Sequence, residues 1–413
     1  MIKAITGTKD ILPEDIKKWV YLENVVHTIM SNFNYKEIRT PVFEETKLFK
    51  RSIGEATDIV SKEMYSFIDR SETSITLKPE MTASVVRALI EHSLDKQQQL
   101  NKLYYLAPMF RQERPQAGRF RQFHQFGAEV LGSTSPSLDA EMIIMSYQIL
   151  KKLGLKNFTL KINSLGIPSS RESYKQLLRN YLSDKSNEMS EDSQNRLETN
   201  ILRLFDSKDN RDIKIMGRAP LLLDHLDDES REHFNNVKEL LNQSNIPFEI
   251  DPKLVRGLDY YTHTTFEIVS GSVGAQAALC GGGRYDLLVK EIGEREVPGV
   301  GFAAGIERIL LACENESVIP DAENKINYYI VRLDKELKKE VFEIATNLRV
   351  KNHTVEIDYL QRSVKAQMRE ANRLGAEKVL MVGGDEFGRG KAALKDMKTG
   401  EQTEIEISEF IIK

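Results

Sequence analysis

Along the chain the hydrophobic positions change period, and each change marks an element. Ile16, Trp19, Val20, Val26, Ile29, Met30 and Phe33 recur at helical spacing after Pro13, a residue favoured in a first helical turn. Tyr35 to Arg39 reads as a short strand that stops at Pro41, because proline restricts the residue before it. A helix is predicted over Ser84 to His92, opening just after Lys78-Pro79-Glu80. Leu103 to Phe110 and Phe123 to Leu131 are apolar, aromatic-rich strands, and the polar, basic connection Arg111 to Gln122 predicts an antiparallel hairpin with a long loop. Leu254 to Glu267, followed by Cys280 to Asp286, reads as a second hairpin, since Phe266 and Ile268 alternate with Glu267 and Val269.

Composition shifts near Ser169. From there to about Asn245 the chain is polar and helix-like, with narrow apolar stripes at Leu177, Leu178, Tyr181 and Leu182 and at Leu197, Ile201 and Phe205. This predicts either a helical insertion returning to the main sheet at Ile250 or a mobile surface excursion. After the polar connector Pro320 to Asn327, strands at Tyr328 to Leu333, Val355 to Ile357 and Lys378 to Val382 alternate with helix-like stretches at Lys335 to Arg349 and Val364 to Leu374. Such alternation predicts a small, mostly parallel α/β unit, to which Ala392 to Met397 and Thr403 to Ile407 add edge strands. The fold class is therefore a multidomain α+β and α/β chain.

Composition narrows the picture. A chain of 413 residues is long for one core, and no apolar run approaches the ~20 residues of a membrane helix. The start has no apolar stretch of the kind that directs secretion. Only two cysteines are present, Cys280 and Cys313, which disfavours a disulfide framework and a structural zinc and points to a reducing, cytoplasmic compartment. The net charge of −4 argues against blanket attraction to nucleic acid but leaves room for local basic grooves.

The candidate chemistry gathers on the two hairpins. Arg111, Arg114, Arg119 and Arg121 lie within one connection, interleaved with Glu113, Gln116 and Gln122, and guanidinium groups can grip phosphates bidentately. A solvated basic loop is the plainer reading. Gln125 and Glu129 point to one face of their strand, and a carboxylate among Phe123, Phe126 and Val130 needs a cationic partner, supplied by a substrate or by a neighbouring arginine. Glu80 and Thr82 form an acceptor cluster ahead of a helix, with Thr82 a fair N-cap. Arg256, Tyr260 and Tyr261 set a cation beside paired phenols, or else decorate an exposed edge. Pro298 to Ala312 reads as a glycine-rich strand entering a helix that carries Arg308. Neither a Walker loop nor a Rossmann fingerprint is present, so any nucleotide is held by another architecture.

Together these stretches resemble the histidyl-tRNA synthetase family of class II aminoacyl-tRNA synthetases. FRQERPQAGRFRQFHQFGAEVLG is similar to the second class II motif, GVGFAAGIERILL to the third and YKEIRTPVFE to the first, while LVRGLDYYTHTTFE and CGGGRYD resemble two histidine-specific motifs. The resemblance runs from near the start to LKDMKTGEQ. It implies a six-stranded antiparallel catalytic core over 1–168 and 246–320, a helical insertion over 169–245, a linker over 321–327 and an anticodon-binding domain over 328–413. It implies a homodimer, and ATP with Mg2+, L-histidine and tRNA(His) as substrates, with no structural metal and no membrane.

By the same resemblance Glu80, Met81, Thr82 and Gln125 surround the substrate amino group. Glu129 and Tyr261 read the imidazole, and Tyr260 lines their pocket. Arg111 and Arg256 are the catalytic cations at the α-phosphate, with Glu113 and Arg308 also toward ATP. Arg114, Gln116, Arg119 and Arg121 face the tRNA acceptor end. Two positions depart from the family pattern. Met81 stands where glycine is expected, and Ala117 where lysine is frequent. The rival readings are a catalytically silent regulatory subunit of ATP phosphoribosyltransferase, and a class II ligase for another amino acid.

Overall fold

The computed structural model describes residues 2–54, 57, 59–116, 118–255, 260–274, 278–320 and 325–412. The chain forms two compact units that divide between residues 319 and 320. Strands are numbered β1–β16 in chain order.

The first unit is built on an eight-stranded sheet. Its six central strands are β5 (Asn101–Phe110), β6 (Gln122–Leu131), β11 (Gly299–Gly305), β10 (Ala278–Arg284), β9 (Thr262–Val269) and β7 (Thr159–Ser164), in that spatial order. Every neighbouring pair among them is antiparallel. The two-residue strands β1 (Lys36–Glu37) and β8 (Glu249–Ile250) add short parallel edges to β5 and β7, so the sheet is wider than the expected six strands. The hairpin β9–β10 is interior, between β7 and β11, which rules out an exposed edge for it.

Helix Pro13–Asn32 packs on this sheet through Trp19, Leu22, Val26 and Met30, whose burial follows the helical period. Ile16 and Val20 fit the same period but face outward, 40% and 46% exposed. A second, three-stranded sheet is formed by β2 (Phe43–Glu45), β4 (Ser74–Leu77) and β3 (Tyr65–Ile68), all antiparallel.

The polar segment after β7 is packed rather than a loose excursion. Helices Pro168–Leu182, Glu191–Thr199 and Asn210–Met216 close around Tyr174, Leu178, Leu182, Ile201, Leu204 and Met216, whereas helix Asp228–Gln243 packs Phe234, Val237 and Leu241 into the core of the main sheet. Its serine-rich composition is used at Asp212, fully buried, whose carboxylate accepts the hydroxyls of Ser190, Ser193 and Ser207 at 2.6 Å each. The chain returns to the sheet where Ile250 pairs with Ile162.

The second unit carries the sheet β13 (Val355–Ile357), β12 (Ile326–Arg332), β14 (Ala376–Val382), β15 (Lys391–Asp396), β16 (Gln402–Glu406), in that order. The first three are mutually parallel, and helices Lys338–Val350 and Val364–Arg373 provide the crossovers. Of the two strands expected at the edge, only β16 is one. β15 lies inside, paired on both sides, and Ile407 opens a terminal helix rather than extending β16. Ile330, Ile344, Leu348 and Leu380 cover one face of this sheet, and Tyr329, Val331, Ala371 and Val379 the other.

Candidate active site

One buried carboxyl group stands directly behind the wall of a cavity in the first unit. Glu129 on β6 stands opposite Gly301 on β11, and a Cβ at position 301 would come within 1.8 Å of Glu129 Oε2. Glycine there makes room for the carboxyl inside the sheet. Glu129 is 1% exposed and is held by three hydroxyls: Thr82 Oγ1 donates to Oε1 at 2.7 Å, Tyr105 at 3.3 Å, and the Tyr285 hydroxyl donates to Oε2. Among the described residues no cation pairs with it, so the neighbouring-arginine alternative is not met there. Burial raises its pKa from 4.5 to about 8, with the nearby Glu80 adding to the rise and the hydroxyl donors opposing it.

Beside it, Glu80 terminates the loop before helix Thr82–Glu91. The carboxylate accepts the backbone N–H groups of Thr82 at 2.7 Å and Ala83 at 2.9 Å, so Glu80 satisfies the helix start. Thr82, expected as the N-cap, is instead the first helical residue and turns its hydroxyl onto Glu129. Burial pushes Glu80 up against the pull of those N–H donors and of Arg111. Met81 has φ −108° and ψ −25°, an ordinary right-handed conformation, so methionine costs nothing where glycine is usual. Its sulfur lies 3.5 Å from Nζ of the buried Lys78, whose pKa burial lowers.

These groups open into a cavity of about 450 Å³ whose walls include Glu80, Met81, Thr82, Arg111, Glu113, Arg119, Gln125, Tyr260, Tyr261 and Arg308. Gln125 Oε1 and Arg119 Nε are buried without a hydrogen-bond partner, one acceptor and one donor. Tyr260 and Tyr261 are buried with ring centroids 4.7 Å apart, and Tyr260 packs edge-on against Tyr285 at 5.6 Å. Arg256 lies outside the described residues, as does Ala117.

The basic connection is ordered, not simply solvated. Arg111 donates from Nε to the Pro79 carbonyl at 3.0 Å and stacks over Phe123 at 5.4 Å. Glu113 bridges Arg119 at 3.0 Å and lies 3.8 Å from Arg111, so it neutralises cations more than it adds a carboxylate to the cavity. Arg119 lines the cavity. Arg121 is drawn the other way, donating to the carbonyls of Thr6 and Glu113 at 3.3 Å each. Of the four residues expected to face tRNA, only Arg114 and Gln116 are exposed. Arg308, on helix Ile306–Asn315, donates to the carbonyl of Ala278 at 3.0 Å; burial and the adjacent Arg119 lower its pKa. No group of three or more metal-ligating side chains occurs among the described residues.

Two site residues escaped the sequence reading. Tyr105 and Tyr285 both hold Glu129, and the usable signal was a tyrosine on the cavity face of β5 and another within CGGGRYD. The arginine of that motif, Arg284, does not reach the cavity. It is fully buried against Asp139, with further bonds to Asp286 and to the carbonyls of Ser133 and Ser135.

Residues 7–309 match the family described as histidyl-tRNA synthetase, and residues 318–413 match one described as an anticodon binding domain. The chain is 48% identical over 410 residues to a histidine–tRNA ligase of Halothermothrix orenii, spanning 99% of this chain and 98% of that protein. It is 49% identical over 407 residues to that of Geobacillus kaustophilus, spanning 98% and 96%. The crystal structure of apo histidyl-tRNA synthetase from S. aureus superposes with a TM-score of 0.85 at 41% identity, covering 100% of this chain and 99% of that one. The chain belongs to the histidyl-tRNA synthetase family.

Proposed function

We propose that the protein ligates L-histidine to tRNA(His) at the expense of ATP, through a histidyl-adenylate. The observation that carries this reading is that one cavity presents both kinds of group. Glu80 and the orphaned Gln125 Oε1 line it as acceptors, with Glu129 bonded just behind the lining residues Thr82 and Tyr105, and the guanidinium groups of Arg111, Arg119 and Arg308 line it as donors. An ammonium and an imidazole suit the first group, and a triphosphate suits the second.

In the first step the histidine carboxylate oxygen bonds to the α-phosphorus of ATP as the bond to the β-phosphate bridging oxygen breaks, and diphosphate leaves. Glu80, Thr82 and Gln125 hold the amino group, with Met81 as the adjoining wall. Glu129 and Tyr261 take the imidazole, and Tyr260 and Tyr285 wall it in. Arg111 faces the α-phosphate, and Arg308 with Arg119 the rest of the nucleotide. Arg256 joins them on the strength of its motif alone. Positioning and fixed positive charge supply most of what such a displacement needs. Mg2+ enters as part of the Mg–ATP substrate and neutralises phosphate charge. In the second step a ribose hydroxyl of the terminal adenosine of tRNA attacks the carbonyl carbon, and AMP departs. Arg114 and Gln116 are the parts of the connection open to the tRNA.

We further assign the catalytic core to 1–168 and 246–320, the insertion to 169–245, the linker to 321–327 and anticodon binding to 328–413. A homodimer is supported by apolar side chains left exposed on the small sheet and just before it: Val42 at 39%, Phe43 at 53%, Phe67 at 49% and Ile68 at 64%. A cytoplasmic setting is supported by two buried thiols, Cys280 and Cys313. No described helix is long and apolar enough to cross a membrane.

The direct test is transfer of labelled histidine to tRNA(His) with Mg–ATP. Acid-stable label on the tRNA with matching release of AMP is expected. Histidine and ATP binding without transfer would favour the silent regulatory subunit instead.

A further inference from the structure

The histidine-reading tyrosines do not sit on regular strand. Between β10 and β9 the register is Gly283 with Thr265 and then Arg284 with Thr262, so β9 spends three steps where β10 spends one. The residues looped out are His263 and Thr264. His263 has φ +44°, a left-handed conformation that a non-glycine side chain adopts only when its surroundings hold it there. Its backbone pairs sideways with the end of β7, donating to Gly166 O at 2.9 Å and accepting from Leu165 N at 2.7 Å. Bulges of this kind bend a strand and re-aim its neighbours. Here the residues re-aimed are Tyr260 and Tyr261, immediately upstream.

Two side chains from the helical segment hold this bulge. Arg171, on helix Pro168–Leu182, donates from Nη1 to the Tyr261 carbonyl at 2.6 Å. His233, on helix Asp228–Gln243, stacks on His263 with ring centroids 5.0 Å apart and 29° between planes, and is itself fixed by Asp139 Oδ1 at 3.1 Å. His263 Nδ1 is buried and makes no hydrogen bond, so the ring is kept in place by stacking and by its backbone. The first and last helices of the segment therefore both end on the two residues flanking Thr262.

We propose that Arg171 and His233 are positioning residues for the amino acid, and that the helical segment governs histidine affinity in the absence of tRNA by fixing the Tyr260–Tyr261 bulge. The inference rests on the histidine-ligase reading and names a role for a segment outside the cavity's catalytic groups. A charge-assisted bond to a carbonyl adjoining Tyr261 sets that phenol's position relative to Glu129. A small displacement there weakens imidazole recognition while leaving the nucleotide end of the cavity unaltered.

The experiment is histidine-dependent ATP–diphosphate exchange without tRNA, comparing wild type, Arg171→Met, Arg171→Lys and His263→Gly. Glycine accepts the positive φ at His263 and removes only the stacked ring. Arg171→Met is expected to raise the KM for histidine about tenfold with the KM for ATP changed less than about twofold, and Arg171→Lys to recover part of the loss. His263→Gly is expected to show the same split, which keeps the question answerable if Arg171→Met does not fold. Equal changes in both KM values, or a defect seen only in charging of tRNA, would overturn the proposal. Absence of exchange in the wild type would instead sink the histidine-ligase reading itself.

Discussion

Burial holds the Glu129 proton to about pH 8, against an ordinary value of 4.5, so the proposed function ties histidine binding to proton release. Because the folded pKa is raised, its contribution to stability is fully present below pH 4.5, declines as pH rises and is gone above about pH 8. Burial favours the neutral carboxyl, and on the proposed function a bound imidazole N–H favours the carboxylate instead. Calorimetry of histidine binding at neutral pH, in buffers of differing ionisation enthalpy, is expected to show release of roughly one proton. The release should vanish in Glu129→Gln; no buffer dependence in the wild type would mean that Glu129 does not meet the ligand. Tyr285→Phe removes one of three hydroxyls on that carboxyl and should weaken histidine about tenfold while sparing ATP, as measured by exchange kinetics. Such sites reject the wrong amino acid because their buried polar groups are then left unmatched. The residue types at 80, 82, 125 and 129 were legible in the sequence, since acceptors on strand faces and before a helix follow from spacing. The hydroxyl cage of Tyr105 and Tyr285 was not, because its members come from strands far apart in the chain.

The hairpins are the elements on which the proposed function depends, and their periods announced them. β5 and β6 match the apolar runs nearly residue for residue, and Gln125 and Glu129 share a face as the strand period requires. What periodicity could not give was the bulge at His263, since a local departure from the strand period carries no mark of its own. It also could not tell an arginine proposed for the chemistry from a structural one. Arg284 sits in a motif as selective as that of Arg256, yet it is fully buried against Asp139. There burial alone would raise the Asp139 carboxyl, but the bond from His233 and the charge of Arg284 outweigh it and hold the pKa low. Asp139→Ala leaves a buried guanidinium without its main partner, and urea denaturation is expected to show a loss of about 3–5 kcal/mol. A loss well under 1 kcal/mol would mean the pair adds no stability.

The two compact units give the whole molecule a division of labour. Each has its own apolar core, so residues 1–319 are expected to make adenylate without residues 320–413, while charging of tRNA is lost. Loss of both activities on truncation after Ile319, in folded protein, would contradict that division. Light scattering is expected to give twice the 47.2 kDa of one chain, with Phe43→Glu shifting the mass toward a single chain. A wild-type protein of single-chain mass would remove the dimer from the account. The division itself was legible as a composition shift at the polar connector. Both short edge strands were legible too, β1 within Tyr35 to Arg39 and β8 in the return at Ile250, but their parallel pairing with β5 and β7, which widens the sheet, was not, because it depends on neighbours far away in the chain.

The central claim is that one cavity reads histidine and activates it on ATP. Amino-acid-dependent exchange of labelled diphosphate into ATP, run with each standard amino acid in turn, tests it most directly. Exchange with histidine and essentially none with the others is the predicted result. Exchange with a different amino acid, or with none in folded protein, would contradict it.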